Sequence, residues 1–363
     1  MTRFFSVIFL FVVFAMTLFA ACTKEEPDYE ASSPPELTQK ATEEDAEEQH
    51  YATLSLPELT QKAKEGDAKA QFYLARRYDE GEGVPHDFRQ AVDWYRKAAE
   101  QGYASAQYNL GAMYYEGEGV PQDFQQAVDW YARAAEQGLA EAQYNLGFMY
   151  SEGEGVPQDF RQAADWFRKA AEQGLAYAQY NLGNMYRDGQ GVSRDYRQAM
   201  DWFRKAAEQG DADAQSNLGE MYGEGQGVPR DFQQALDWFR KAAEQGNASA
   251  QNNLGIMYNN GQGVPQDSRQ ALDWYRKAAE QGNASAQINL GSMYENGKDV
   301  PKDIVLAYAL YNLAADDGSA AAVVFRDSIE EEMTPKEIEA ARALTKYWQP
   351  GKPLPTGSAG SKR

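Results

Sequence analysis

The 363-residue sequence contains one cysteine, Cys22, and two histidines, His50 and His86. A single cysteine excludes an internal disulfide, and these three residues are too few and too dispersed for a zinc site. Basic residues are also in deficit, because 35 Lys and Arg stand against 55 Asp and Glu and give a net charge of −20. Nucleic-acid binding requires a basic surface. We therefore expect no metal, no cofactor and no nucleic-acid partner.

What the sequence does contain is a repeated unit of 36 residues. A glycine recurs on this step at Gly66, Gly102, Gly138, Gly174, Gly210, Gly246, Gly282 and Gly318. A tryptophan recurs on the same step from Trp94 to Trp274. A constant period of this length is typical of a solenoid, in which each unit packs only on its neighbours.

The first residues have the order of a secretory signal. Arg3 precedes an apolar run over residues 4–19, and two alanines then precede Cys22. The run is short for a membrane-spanning helix, which needs about 20 apolar residues. The segment LFAAC resembles the lipobox of bacterial lipoproteins. This resemblance implies a signal peptide over residues 1–21 and a lipidated Cys22, which would leave no cysteine for catalysis.

The lipobox resemblance also implies a location, namely the bacterial cell envelope, with the chain anchored in the outer membrane and facing the periplasm. Signal cleavage without lipidation, or an uncleaved anchor, would fit the same residues.

Composition divides the remaining chain into five segments. Residues 22–53 are rich in Glu, Pro, Ser and Thr and predict a disordered acidic tether. Residues 54–65 predict an N-terminal capping helix, and residues 66–317 hold seven copies of the unit. The pattern decays over residues 318–348, which predict C-terminal capping helices. Residues 349–363 are rich in Pro, Gly, Ser and Lys and predict a disordered tail.

Each unit predicts two helices. In the second copy, apolar spacing predicts the first helix over about residues 103–115, and the Gly-rich, Pro-containing segment 117–121 ends it. Asp123 is expected to cap the second helix, and Gly138 is expected to end it in the left-handed conformation. Helices this short are only marginally stable in isolation. The tryptophan is expected to fill the layer between units, so that Trp166→Ala would cost about 3–5 kcal/mol.

These residues carry a family resemblance. The pattern GxAxAQYNLGxMYxxGxGVPxDxxQAxDWxRKAAEQG resembles the Sel1-like repeat, a relative of the tetratricopeptide repeat. Six copies are nearly complete, whereas the seventh has Leu310 in place of the tryptophan. The resemblance implies an all-α fold, a right-handed α-solenoid of helix-turn-helix repeats, and a non-enzymatic adaptor role.

Differences between the copies predict where a partner binds. The fourth, seventh, eleventh and fourteenth positions vary, and steps of three, four and three place them on one helical face. In Sel1-like and tetratricopeptide proteins this helix lines the concave surface, so the variable stripe is predicted to bind a protein or peptide. The predicted partner-binding residues are Tyr108, Tyr115, Tyr144, Phe148, Tyr177, Tyr180 and Arg187, and the stripe also includes Ser151 and Asn184. Alternatively, these aromatic residues only cover the inner curve of the solenoid.

Two other functions are compatible with the pattern. Aromatic stripes also stack on sugars, so the chain could be an envelope assembly factor that binds polysaccharide or supports its export. A third possibility is an enzyme, because cysteine-rich Sel1-like proteins have been associated with β-lactamase activity or penicillin binding. Those proteins carry a disulfide pair in each repeat, whereas this chain has one cysteine and no S-x-x-K signature. The sequence therefore argues against an enzyme.

Overall fold

The computed structural model describes residues 49–297 and 299–354. The predicted signal peptide, Cys22 and residues 22–48 of the predicted tether lie outside this part, as do residues 355–363. Residues 49–55 belong to one compact unit and residues 56–354 to another. Residues 49–53 are helical, although the composition predicted a disordered tether. The hydroxyl of Thr53 donates hydrogen bonds to the carbonyls of Gln49 and His50, at 3.1 and 3.0 Å, within this turn.

The second unit is an α-solenoid, as predicted, and no strand occurs in the described ranges. Its helices in chain order are α1 (Leu56–Lys64), α2 (Ala68–Glu80), α3 (Phe88–Glu100), α4 (Ala104–Glu116), α5 (Phe124–Glu136), α6 (Ala140–Glu152), α7 (Phe160–Glu172), α8 (Ala176–Asp188), α9 (Tyr196–Glu208), α10 (Ala212–Glu224), α11 (Phe232–Glu244), α12 (Ala248–Asn260), α13 (Ser268–Glu280), α14 (Ala284–Asn296), α15 (Ile304–Asp316), α16 (Ala320–Glu330) and α17 (Pro335–Thr345). None of the helices described is long and apolar enough to cross a membrane.

The helix ends follow the residues that predicted them. The Asp123 carboxylate accepts a hydrogen bond from the Gln126 N–H at 3.1 Å and caps α5, which satisfies one of its free donors. Gly117 ends α4 with φ +76°, and Gly138 follows α5 with φ +96°. Helix α4 begins and ends one residue later than the apolar spacing predicted.

The prediction that tryptophan fills the layer between repeats was wrong in part. The most buried aromatic side chain is the following residue, which is 0–5% exposed in all seven units: Tyr95, Tyr131, Phe167, Phe203, Phe239, Tyr275 and Tyr311. Trp166 is only half-buried, and the Lys169 ammonium lies 3.7 Å from its ring centroid. Both aromatic residues lie toward the apolar face of the helix, so helical periodicity alone could not decide which one is fully covered.

Buried glutamines connect successive repeats. Gln179 donates a hydrogen bond from Nε2 to the Ala171 carbonyl at 3.0 Å, and its Oε1 accepts one from Gln209 Nε2 at 2.8 Å. The same pair of bonds recurs for each equivalent glutamine from Gln71 to Gln251. These bonds satisfy a polar group that would otherwise be costly to bury.

The glutamine series ends at Gln287. Its Nε2 still donates to the Ala279 carbonyl, at 3.2 Å, but its buried Oε1 has no hydrogen-bond partner among the described residues. Asp317 stands where the earlier repeats have a glutamine, and a carboxylate cannot donate a hydrogen bond. One buried acceptor therefore remains unsatisfied at the last repeat.

Replacing Asp317 with glutamine should restore the missing donor. We expect Asp317→Gln to raise the free energy of unfolding by about 1 kcal/mol, measured by urea denaturation, because a buried acceptor gains its partner. Asp317→Asn is the matched control, since it also removes the charge at the helix C-terminus but is one methylene shorter. Equal gains in the two variants would show that only the charge matters.

Helices α16 and α17 cover the last repeat. Ile329, Met333 and Ala341 pack against the buried rings of Tyr308 and Tyr311. At the start of α17 the Thr334 side chain accepts a hydrogen bond from the Glu337 N–H at 3.3 Å, and the Glu337 carboxylate accepts one from the Thr334 N–H at 2.8 Å. This reciprocal capping box fixes where α17 begins.

The first residues of the predicted disordered tail form a turn instead. The Lys352 N–H donates to the Gln349 carbonyl at 3.1 Å, and Gly351 between them has φ +85°. Proline followed by glycine with positive φ is the pattern of a type II turn. The Trp348 Nε1–H also donates to the Lys352 carbonyl, at 3.1 Å. Composition predicted disorder because it does not register such specific bonds.

Candidate functional site

A cleft of about 240 Å³ lies where the third and fourth repeats meet. Helix α6 contributes Tyr144, Phe148 and Ser151 to its lining, and helix α8 contributes Asn181 and Asn184. The rings of Phe160 and Phe167 from α7 complete the apolar part, and Glu152, Met185 and Gln190 also line it. The cleft therefore combines aromatic surface with amide, hydroxyl and carboxylate groups.

The register of helix α6 explains why these side chains point to one place. Tyr144, Phe148 and Ser151 follow one another at steps of four and three, which is one face of a helix. Residues between them, such as Leu146 and Met149, are 2% and 1% exposed and belong to the core. Because the other face of α6 is buried in the core, the face that carries the variable residues lines the cleft.

Tyr144 is the best-defined group in the cleft. Its ring centroid lies 5.5 Å from that of Phe167 and 5.2 Å from that of Tyr177. Its hydroxyl accepts a hydrogen bond from the Asn181 amide at 3.3 Å. Burial raises the pKa of Tyr144 above its ordinary value, and the Asn181 bond opposes this shift. The phenol therefore remains protonated at neutral pH and can donate to a ligand.

The polar side of the cleft is held by local hydrogen bonds. The Ser151 hydroxyl donates to the Phe148 carbonyl at 2.8 Å, which fixes its rotamer. The Asn184 Oδ1 accepts a hydrogen bond from Asn217 of the next repeat at 3.4 Å. Asn184 also lines the cleft, and its side-chain amide can donate hydrogen bonds to a ligand there.

Five of the seven predicted partner-binding residues do not line the cleft, and two of these five belong to the second repeat. Tyr108 is half-buried with its ring centroid 5.7 Å from that of Tyr131, and burial raises its pKa to about 12. The ring centroid of Tyr115 lies 5.3 Å from that of Phe124, and burial together with a hydrogen bond to Glu154 raises its pKa. Both ring contacts lie within the second repeat, and the hydrogen bond between Tyr115 and Glu154 joins this repeat to the third.

The remaining predicted residues belong to helix α8. Tyr177 is 39% exposed and extends the aromatic surface beside Tyr144. The ring centroid of Tyr180 lies 5.9 Å from the buried Phe203. The Arg187 guanidinium forms an ion pair with Asp188 at 2.8 Å, and this bond raises the pKa of Arg187. Of these three residues, Tyr177 is the one in ring contact with a residue of the cleft.

The comparison of repeats missed Asn181, because its position carries asparagine in every unit from the second to the seventh and was assigned to the scaffold. The structure shows that this amide reaches back to a variable side chain of the preceding repeat. Asn253 donates to Glu220 at 3.1 Å, and Asn289 donates to Asn252 at 3.0 Å, as Asn181 does to Tyr144. The sequence did contain a signal for this role, namely the asparagine that recurs at the position next to the variable stripe.

The geometry of the cleft suits recognition by contact. Within the ranges that the structure describes, no group of three or more His, Cys, Asp or Glu could hold a metal ion. Aromatic faces provide contact area at a low cost in side-chain entropy, and amides provide adaptable hydrogen bonds. These are the groups expected of a surface that binds a peptide.

Comparison with known proteins identifies the repeat. The family described as the Sel1 repeat matches residues 68–103, 104–139, 140–175, 176–211, 212–247, 248–283 and 284–319. A protective antigen present in uropathogenic Escherichia coli strains, whose crystal structure displays an SLR fold, is 40% identical, with 80% of this chain and 70% of that chain covered and a TM-score of 0.62. No match was found among curated proteins.

A second solved structure supports the same assignment. The crystal structure of a Sel1 repeat protein from Oxalobacter formigenes is 34% identical, covers 66% of this chain and 96% of that chain, and has a TM-score of 0.61. The seven matched repeats together span well over half of the sequence. This chain belongs to the Sel1 repeat family.

Proposed function

We propose that this chain is a non-enzymatic, lipid-anchored scaffold that binds a protein or peptide partner in the cleft formed by α6, α7 and α8. Sel1-repeat solenoids are typically protein-interaction scaffolds. The observation that carries the proposal is the composition of the cleft. There the side chains that differ between repeats, Tyr144, Phe148, Ser151 and Asn184, come together around one concavity.

The aromatic residues supply the expected binding energy. Tyr144 and Phe148 are half-buried in the free chain and have surface left to cover. Aromatic anchors in partly desolvated pockets dominate the binding energy of many interfaces. Asn184 and Ser151 at the polar side would then select among partners by their hydrogen bonds.

Replacing Tyr144 and Phe148 together with alanine should weaken binding of the partner. Partners are first identified by crosslinking and pull-down from membranes with mass spectrometry, and their affinity is then measured on the purified chain. We expect the double variant to bind at least tenfold more weakly, which is about 1.4 kcal/mol. Its far-ultraviolet circular dichroism should stay unchanged.

The matched control is the same pair of positions in the sixth repeat, Asn252→Ala with Ile256→Ala. This control variant should bind normally. Equal affinities for the wild-type chain and the Tyr144, Phe148 variant would contradict the role of the cleft. Binding on a glycan array without any protein capture would favour the polysaccharide alternative.

We further propose that lipid on Cys22 holds the scaffold in the bacterial cell envelope, at the outer membrane and facing the periplasm. Cys22 lies outside the described residues, and its place after an apolar run and two alanines supports the proposal. Acyl chains contribute about 0.8 kcal/mol of membrane affinity for each buried CH₂ group.

Cys22→Ser should move the chain from the membrane fraction to the soluble fraction. It should also end incorporation of labelled fatty acid, because the thiol that carries the lipid is gone. Recovery of the variant in the membrane fraction, at the wild-type level, would contradict lipid anchoring at this residue.

A further inference from the structure

The turn formed by Pro350 and Gly351 is seated on the end of helix α13. The Gly351 N–H donates a hydrogen bond to the Glu280 carbonyl at 2.7 Å, and the Leu354 N–H donates one to the Glu280 carboxylate at 3.2 Å. The Pro350 ring lies 3.1 Å from where a Cβ on Gly282 would be. Leu354 packs on the apolar cluster formed by α12 to α15.

Each of these contacts has a physical cause. Glu280 is the last residue of α13, so its carbonyl has no partner within the helix and seeks a donor. The Pro-Gly turn presents such a donor, since the N–H of its third residue points out of the turn. Gly282 has no side chain, which leaves room for the proline ring. We call Glu280 and Gly282 the turn seat.

The residues of the turn seat recur at five earlier repeat boundaries. The equivalent pairs are Glu100 and Gly102, Glu136 and Gly138, Glu172 and Gly174, Glu208 and Gly210, and Glu244 and Gly246. The five glycines have φ of 90–97°, against 90° at Gly282, and each donates to an alanine carbonyl at 3.0–3.1 Å as Gly282 does. The backbone of the seat is therefore the same at all six boundaries.

The five earlier seats differ from the last one in what lies over the glycine. Pro350 lies within 4 Å of a Cβ built on Gly282, whereas no described atom outside the adjacent residues lies within 4 Å of one built on Gly102, Gly138, Gly174, Gly210 or Gly246. The space that the proline ring fills at α13 is thus open at the ends of α3, α5, α7, α9 and α11.

We propose that these five seats bind Pro-Gly turns of a partner protein, and that the segment Pro350–Leu354 is an internal copy of that ligand. The recognised element is a Pro-Gly turn with an apolar residue three positions after the glycine. The glycine N–H bonds to the last carbonyl of the helix, and the N–H of the apolar residue bonds to the glutamate carboxylate. Several seats on one solenoid would add avidity for a partner that carries several turns.

The turn seats are distinct from the cleft, so this inference does not depend on the proposed function. The seats consist of a glutamate and a glycine that recur at six repeat boundaries, whereas the cleft includes residues that differ between repeats. A partner with repeated Pro-Gly turns would therefore be bound at any of several repeats, without preference for the third or fourth.

The test uses the full chain labelled with ¹⁵N at glycine and a capped peptide with the sequence of residues 348–354. Two hydrogen bonds and one ring predict a dissociation constant on the order of 1 mM. Saturable shifts should occur at the amides of the five seat glycines, from Gly102 to Gly246. Gly282 should not respond, because the tail of the chain already covers it.

Two controls make the result decisive. A peptide with alanine for Pro350 and valine for Gly351 cannot form the turn and should produce no shifts. In the full-length variant Gly351→Val the tail should leave its seat, so that Gly282 now responds to the wild-type peptide like the other five glycines. The proposal is overturned by an absence of shifts, by equal shifts with the control peptide, or by an unresponsive Gly282 in Gly351→Val.

Discussion

Replacing Gly191 with alanine is expected to lower the free energy of unfolding by roughly 2–5 kcal/mol. Gly191 has φ +69°, a left-handed conformation that costs other residues about 1–2 kcal/mol. A Cβ at this position would also lie 2.0 Å from the Phe160 carbonyl oxygen. Two backbones would have to separate, and such overpacking costs about 1–3 kcal/mol more.

The contact at Gly191 joins one repeat to the next. Gly191 belongs to the loop after α8, and Phe160 begins α7 in the preceding repeat. The equivalent glycines Gly119, Gly155 and Gly263 would place a Cβ 2.4–2.6 Å from the corresponding carbonyl oxygen. The second glycine of the loop is therefore required by the approach of neighbouring repeats as well as by its turn.

Gly174→Ala is the matched control for Gly191→Ala. Gly174 also has positive φ, at +97°, but no described atom outside the adjacent residues lies within 4 Å of an added Cβ. This variant should lose only the conformational part, about 1–2 kcal/mol. Guanidinium denaturation, followed by circular dichroism, measures the free energy of unfolding of both variants. Equal losses would show that the loop contact at Gly191 contributes nothing.

Phe203→Ala is expected to cost about 3–5 kcal/mol, because it removes a large side chain from a site that cannot collapse. Phe203 is 0% exposed, and its ring packs against helix α8 at Gly183. A Cβ on Gly183 would be 2.7 Å from the Phe203 ring, so the glycine exists to admit the aromatic side chain. The midpoints of thermal unfolding and of chemical unfolding should both be lower for this variant.

Two comparisons test the reason for the Phe203 effect. Phe203→Tyr should leave the free energy of unfolding nearly unchanged, since Tyr131 and Tyr275 occupy the equivalent position in other repeats. Trp166→Ala should cost less than Phe203→Ala, because Trp166 is half-buried and partly covered by Lys169. A larger loss for Trp166→Ala would restore the tryptophan as the main packing residue of the repeat.

The candidate site was partly predictable from the sequence. Variation between copies selected Tyr144, Phe148, Ser151 and Asn184, because residues that carry no stacking contact are free to differ. The same reasoning missed Asn181, which has both roles: it is common to the repeats and reaches the variable Tyr144 of its neighbour. A comparison along one chain cannot separate two roles that fall on one residue.

The sequence by itself determined the period, the helical class and the helix ends. Those features depend on interactions within a few residues, such as the Asp123 cap and the left-handed glycine at Gly117. The tertiary structure alone decided three other features. Phe203 and its equivalents are more deeply buried than the tryptophans that precede them. The Gln287 Oε1 atom has no hydrogen-bond partner among the described residues, and Pro350 packs on Gly282. Each depends on atoms from another helix, some of them about 70 residues away in the chain. Patterns of neighbouring residues contain no information about such contacts, so they are determined only by how the helices pack.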